Sequence, residues 1–185
     1  MSVPVRKNTR LYTRYPLASL LLYNGVTIVH YVLGGVGIIL GYDSWFGTIL
    51  GAVYLIFAIV QMYVVMPIEV CPNCVYFRLE NSLCISGINL IAQRIARNGD
   101  PKNFTNRAKG TLCPNNLYIA ALVFPIIAMI PALFINFSFV VLAVFVAVIG
   151  LLLFRFFYLF TNVACVHCRA KFTCPNAKSM GMSRK

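Results

Sequence analysis

The sequence is poor in acid. Four Asp and Glu stand against sixteen Lys and Arg, a formal charge of +12, and charged residues make up 11% of the 185. A soluble globular domain carries about 25%. There is one tryptophan and there are two histidines, His30 and His167. H-E-x-x-H, the P-loop and the Rossmann glycine loop are all missing, so zincin, nucleotide and dinucleotide chemistry have no motif to stand on. Met1-Ser2-Val3 lacks the glycine that myristoylation needs, and the last four residues are not a prenylation box. No cleaved leader is expected, because the first apolar stretch is long and runs directly into more of the same.

Hydrophobic residues make up 60% of the chain and mean hydropathy is +0.81, which places it in a membrane. From Tyr15 to Phe77 there is no Lys or Arg, and the only acids are Asp43 and Glu69. Two spans fit, about Leu17 to Gly41 and Phe46 to Met66, each longer than the roughly 20 residues a crossing requires. Leu117 to Phe154 is also uncharged, and as one helix it would reach about 57 Å, nearly twice the hydrocarbon thickness. It is expected to fold back near Asn136 and Ser138. Pro125 and Pro131 are placed to kink or end a helix, giving spans of about Leu117 to Phe134 and Phe139 to Asn162.

The expected fold is therefore an all-α integral membrane protein, four transmembrane helices in two hairpins, with a cysteine-rich cap. In residue ranges it is a basic arm 1–16, a first hairpin 17–66, a loop 67–116, a second hairpin 117–162 and a tail 163–185. The bases of the arm (Arg6, Lys7, Arg10, Arg14), the loop (Arg78, Arg94, Arg97, Lys102, Arg107, Lys109) and the tail (Arg169, Lys171, Lys178, Arg184, Lys185) all fall on one side. The positive-inside bias makes that side cytoplasmic, N-in and C-in. The remaining base, Arg155, is expected to snorkel from the fourth span to the headgroups. Because topology accounts for the charge, nucleic acid is not an expected partner; the lipid bilayer is.

All seven cysteines, Cys71, Cys74, Cys84, Cys113, Cys165, Cys168 and Cys174, lie outside the spans, so packing within the helices does not explain them. They form C-x2-C-x9-C after the second span and C-x2-C-x5-C after the fourth, and Cys-Pro-Asn occurs three times. This suggests a parallel repeat of hairpin plus three-cysteine module. A C-x-x-C turn aims two sulfurs at one ion, and zinc or an iron-sulfur cluster commonly takes four. All seven are candidate metal ligands, although the tight ferredoxin spacing is missing. A reducing cytoplasmic face disfavours stable disulfides. His167, between Cys165 and Cys168, is a weaker candidate ligand.

Within the loop, residues 86–98 read as an amphipathic interfacial helix with Ile88, Ile91 and Ile95 on one face, Ser86 as cap and Gly99 as stop. It would lid the cysteine layer. His30, mid-span, is a candidate quinone contact, with a structural hydrogen bond the stronger expectation.

Three functions follow. The first is a membrane subunit of a redox complex in a prokaryotic cytoplasmic membrane, relaying electrons between redox partner subunits and a quinone through a cysteine-ligated 4Fe–4S cluster. The second is a zinc-stabilised scaffold or anchor without redox activity. The third is a membrane thiol-disulfide oxidoreductase. Four spans with C-x-x-C at a helix end, as at Cys71/Cys74 and Cys165/Cys168, resemble the quinone-linked disulfide-forming enzymes, including the vitamin K epoxide reductase family. The resemblance covers architecture and implies thiol-disulfide exchange. Those enzymes expose their cysteines to the oxidising side, so no catalytic role is carried across.

Overall fold

The computed structural model describes residues 10–182; Arg6, Lys7, Arg184 and Lys185, assigned above to the arm and the tail, lie outside them. The described chain is helical, with two isolated bridges, Tyr12 to Cys168 and Arg14 to Leu83, in place of strands. Four helices are long and apolar enough to cross a membrane: Leu17–Tyr42, Trp45–Asn73, Pro114–Ile135 and Phe139–Ala164. The chain is a membrane protein, and the many exposed aliphatic side chains on these helices, such as Ile56, Ile127 and Val146, are the surface that lipid covers.

Helix α1 (Leu17–Tyr42) starts directly after Pro16 and ends where Asp43 turns left-handed at φ 40°, its N–H donating to the Ile39 carbonyl 3.3 Å away. Ser44 then caps α2 (Trp45–Val60), its hydroxyl accepting from the Gly47 N–H. The second long helix continues beyond α2 as a π-helix, Gln61–Val70, and a 3-10 turn, Cys71–Asn73. A short α3 (Val75–Arg78) and α4 (Ile88–Ile95) follow, then a 3-10 segment, Pro101–Ala108, before α5 (Pro114–Ile135). The fourth long helix is α6 (Phe139–Leu153) extended by a second π-helix, Phe154–Ala164; α7 (Pro175–Ser179) lies in the tail.

Helix α1 is central and packs on α2, α5 and α6. Its approach to its neighbours is set by small residues. A Cβ on Gly41 would come within 2.8 Å of the Ala132 Cβ on α5, and one on Gly51 of α2 within 2.9 Å of the Gly35 carbonyl. Gly41 follows Gly37, and Gly51 follows Gly47, by four residues, so each helix presents a pair of small residues on one face.

Pro125 and Pro131 do not end α5, which runs through both. Proline removes the N–H that would bond four residues back. For Pro125 that leaves the Ala121 carbonyl, and Tyr54 of α2 donates its hydroxyl to it at 3.0 Å. The next carbonyl, Leu122, accepts from His30 Nε2 at 3.0 Å. The pattern recurs one carbonyl beyond the site that Pro131 vacates, where Tyr42 donates to Ala128 at 3.0 Å. Neighbouring helices thus supply the donors, as they must where water is absent.

The loop helix is shorter than expected. It is capped by Gly87 at φ +72° rather than by Ser86, and Ala96, not Gly99, ends it. Ile88, Asn89 and Ala92 face inward, while Ile91 and Ile95 are exposed. The cause is Asn89, whose side chain accepts from the Cys84 N–H and donates to Ser82, turning that stripe toward the protein.

Two substitutions probe this packing. Gly41→Val is expected to lower stability by about 1–3 kcal/mol through overpacking, and Tyr54→Phe by about 1–3 kcal/mol through the unsatisfied Ala121 carbonyl. Thermal unfolding in mild detergent reads both.

Candidate functional site

The two π-helices deliver the two C-x-x-C motifs in the same way. The Cys71 N–H closes the first on the Met66 carbonyl, and the Cys165 N–H closes the second on Phe160 at 2.8 Å. Each motif then folds into the same turn, Cys74 N–H to Cys71 O at 2.9 Å and Cys168 N–H to Cys165 O at 3.2 Å. π-Helical segments are rare and gather at functional sites. Their matching position is the clearest structural likeness between the two halves.

The N-terminal segment ties the two modules together. Tyr12 N–H donates to the His167 carbonyl at 3.0 Å, Leu83 N–H to Thr13 at 3.1 Å and Tyr15 N–H to Leu83 at 3.0 Å. Tyr76 donates its hydroxyl to the Tyr12 carbonyl and accepts from Arg169 N–H. His167 belongs to this strap: its ring stacks on Tyr12 with centroids 4.5 Å apart, and its Nδ1–H donates to the Arg10 carbonyl at 2.8 Å.

Six thiols, those of Cys71, Cys74, Cys84, Cys165, Cys168 and Cys174, line one cavity of about 170 Å³. Met66, Val70, Ile88 and Phe104 supply apolar wall between them. No carboxylate lines it. Thiols are the only metal-binding type of side chain in the lining, beside the hydroxyls of Tyr23, Tyr76, Ser86 and Tyr118 and the amide of Asn176. A sulfur-rich donor set in largely apolar surroundings suits a soft metal or an iron-sulfur cluster. The volume is several times the roughly 30 Å³ share of one water, room for more than a single ion. Among the described residues, however, no three His, Cys, Asp or Glu side chains stand close enough together to hold a metal ion. The sulfurs ring a space without converging on one point.

Cys113 lies outside this cavity lining. It is the N-cap of α5, its Sγ accepting from the Asn116 N–H at 3.4 Å. Two of the three Cys-Pro-Asn tripeptides open a helix, with Pro114 and Pro175 in the first turn, whereas Cys71-Pro72-Asn73 is the 3-10 turn that closes the second long helix. At Cys113 and Cys174 the tripeptide is thus a helix-start device as well as a source of thiols.

Burial pushes the Cys168 thiol far up from its ordinary range, and the thiols of Cys74, Cys165 and Cys174 add to the rise. Tyr15 and Tyr76 are also raised, by burial first and Cys168 second.

Arg155 does not snorkel. It is 1% exposed, inside the bundle, with Nη1 donating to Thr27 Oγ1 at 2.6 Å and Nη2 to the hydroxyls of Tyr23, at 2.9 Å, and Tyr118. Its guanidinium carbon lies 4.7, 5.3 and 5.5 Å from the ring centroids of Tyr23, Tyr118 and Phe160. Snorkelling loses because three hydroxyls and three rings are already in place. The sequence held a signal: Tyr23 and Thr27 are four apart, a hydroxyl pair on one face of α1. His30 is likewise 1% exposed, with Nε2 engaged by Leu122 and Nδ1 without a partner.

No protein-family model, curated protein or solved structure matches the chain.

In metal-free protein the raised Cys168 thiol gives a pH prediction. A thiol whose folded pKa exceeds its unfolded value contributes stability that is fully present below the ordinary thiol range and is lost as pH rises through and beyond it. Alkylation followed by peptide mass mapping should find Cys168 slower in the folded protein at pH 8 than after denaturation. Cys168 alkylated as fast in the folded protein as in denaturant would contradict this burial.

Proposed function

We propose that this chain is a membrane subunit of a redox complex and that its cysteine cavity holds an iron-sulfur cluster, of the 4Fe–4S kind, on the cytoplasmic face of a prokaryotic membrane. One observation carries the reading: six of the seven cysteines, from two similar modules, line a single cavity at the ends of two long helices. In this reading the long helices pair as two hairpins, both termini are inside, and the thiols with the loop form a cap. The concentration of Lys and Arg in arm, loop and tail supports that orientation.

A cluster so held would supply one-electron transfer, with a potential set by burial, net charge and hydrogen bonds to sulfur. The chain's part is to exclude water, through Met66, Val70, Ile88 and Phe104, and to gather ligands from both modules. The strap at Tyr12 to Tyr15 holds those modules at fixed separation. The electron donor would be a partner subunit docking at the basic face, and a quinone the carrier on the lipid side. Contact of that quinone with His30 requires an opening between α1 and α5, since the ring is enclosed.

The strap also favours the second reading, structural zinc. A closed four-thiolate site would add folding energy to a junction already stitched by backbone hydrogen bonds. Thiol-disulfide exchange ranks third. An attacking cysteine needs a lowered pKa, and Cys168 moves the opposite way.

The test is metal and sulfide analysis of anaerobically purified full-length protein in mild detergent, with EPR before and after dithionite. Iron with sulfide and a reducible signal is the expected result; stoichiometric zinc without colour would transfer the assignment to the scaffold. Absence of metal, with thiols that cycle under oxidant, would overturn both. Serine at Cys168 or Cys74 should abolish loading. Cys113→Ser should leave it intact, because serine caps a helix at least as well as cysteine.

A further inference from the structure

Arg155 is a cation without an anion. Its hydrogen bonds go to three neutral hydroxyls, and its Nε, buried, has no acceptor. The chain has only four acids, Asp43, Glu69, Glu80 and Asp100, and none is hydrogen-bonded to the guanidinium. An uncompensated charge in a bundle interior is costly, and such residues mark functional sites.

The cavity adjoins it. Tyr23, Tyr118 and Phe160, the three rings packed on the guanidinium, also line the six-thiol cavity. The guanidinium and the cavity therefore share three rings as a common wall. The cavity, for its part, is lined by groups that become anions on binding metal. Four thiolates around one dication leave a net charge of about −2, and that surplus needs a counter-charge in an apolar space.

Proton accounting points the same way. The Tyr23 and Tyr118 hydroxyls both accept from Arg155 and lie 3.3 Å apart, so one donates to the other. Thr27 spends its proton on the Tyr23 carbonyl. One phenolic proton is left with no acceptor inside the set, on a ring that lines the cavity. The whole cluster is rich in donors and short of acceptors, which an anionic occupant of the cavity would correct.

We propose that Arg155 is the buried counter-charge of the thiolate centre, a positioning residue that acts on the cavity through Tyr23, Tyr118 and Phe160. The inference rests on the metal-thiolate reading given above and adds the residue that balances its charge. It holds for zinc and for an iron-sulfur cluster alike, because both leave surplus negative charge on the sulfurs.

The experiment is a Zn2+ titration of full-length, metal-stripped protein in detergent micelles, in competition with a chromophoric chelator. Arg155→Lys keeps the charge, Arg155→Gln keeps hydrogen-bonding capacity without charge, and Thr27→Asp sets a carboxylate against the guanidinium and neutralises it in place. Wild type and Arg155→Lys should bind within about threefold of each other, while Arg155→Gln and Thr27→Asp should bind about tenfold or more weakly, the scale of one buried charge interaction. Monodispersity and helical circular dichroism verify the fold. Thr27→Asp serves where Arg155→Gln does not fold, since it retains the arginine. Gln and Asp variants that bind as tightly as wild type would overturn the counter-charge and leave the metal centre standing. A wild type that binds no Zn2+ through its cysteines, and carries no iron as purified, would remove the centre itself and this inference with it.

Discussion

A bilayer offers no water to a backbone carbonyl, so any interruption of a spanning helix must be made good by a neighbour. In α5 Pro125 vacates the Ala121 carbonyl, which Tyr54 takes up, while His30 and Tyr42 donate to Leu122 and Ala128, the carbonyls next to those that Pro125 and Pro131 vacate. These hydrogen bonds fix more than α5. They set the rotation of α1 and α2 about their own axes, because each donor must face a particular carbonyl. With that rotation fixed, Tyr23 and Thr27 look toward Arg155, and the glycines of α1 meet Ala132 and Leu55 at close range. The polar interior and the close-packed interior are therefore two sides of the same helix, specified together.

At the cysteine end the logic changes from satisfaction to enclosure. Two π-helices end in the same C-x-x-C turn, and a strap of backbone hydrogen bonds runs between them. The result is a small apolar space bounded by sulfur and backed by a guanidinium. Neither feature alone would assign chemistry. Thiols line many apolar spaces, and a buried arginine can be a strut; it is the sharing of Tyr23, Tyr118 and Phe160 by both that links them.

The sequence made the long helices legible because lipid imposes a one-dimensional rule: about twenty residues without charge. The starts expected at Leu17 and Phe139 coincide with those observed, while the second helix runs on from Met66 to Asn73 and the third begins at Pro114, ahead of Leu117. It also made the cysteine pairs legible, since C-x-x-C is a local motif that closes its own turn. What it could not carry was anything set by three helices at once. Arg155 looked like a side chain near a helix end, since the hydroxyls that hold it come from residues 23, 27 and 118. Pro125 read as a break because the donor to the carbonyl it vacates, Tyr54, lies on another helix. Nothing in the spacing set Cys113 apart from the other cysteines, yet it lies outside the cavity lining, with its sulfur at the first turn of α5. In α4 the isoleucine spacing was real, but Asn89, bonded to Ser82 and Cys84, decided which face turned inward.

The strap has a consequence for the order of assembly. Residues 12–15 leave the ribosome long before one of their partners, His167. Every long helix must therefore be synthesised and inserted before the thiol chamber can close. Until then Cys71, Cys74 and Cys84 wait in an open half-site. The C-terminal module, with Cys165, Cys168 and Cys174, is the piece that turns an open ledge into a lined cavity.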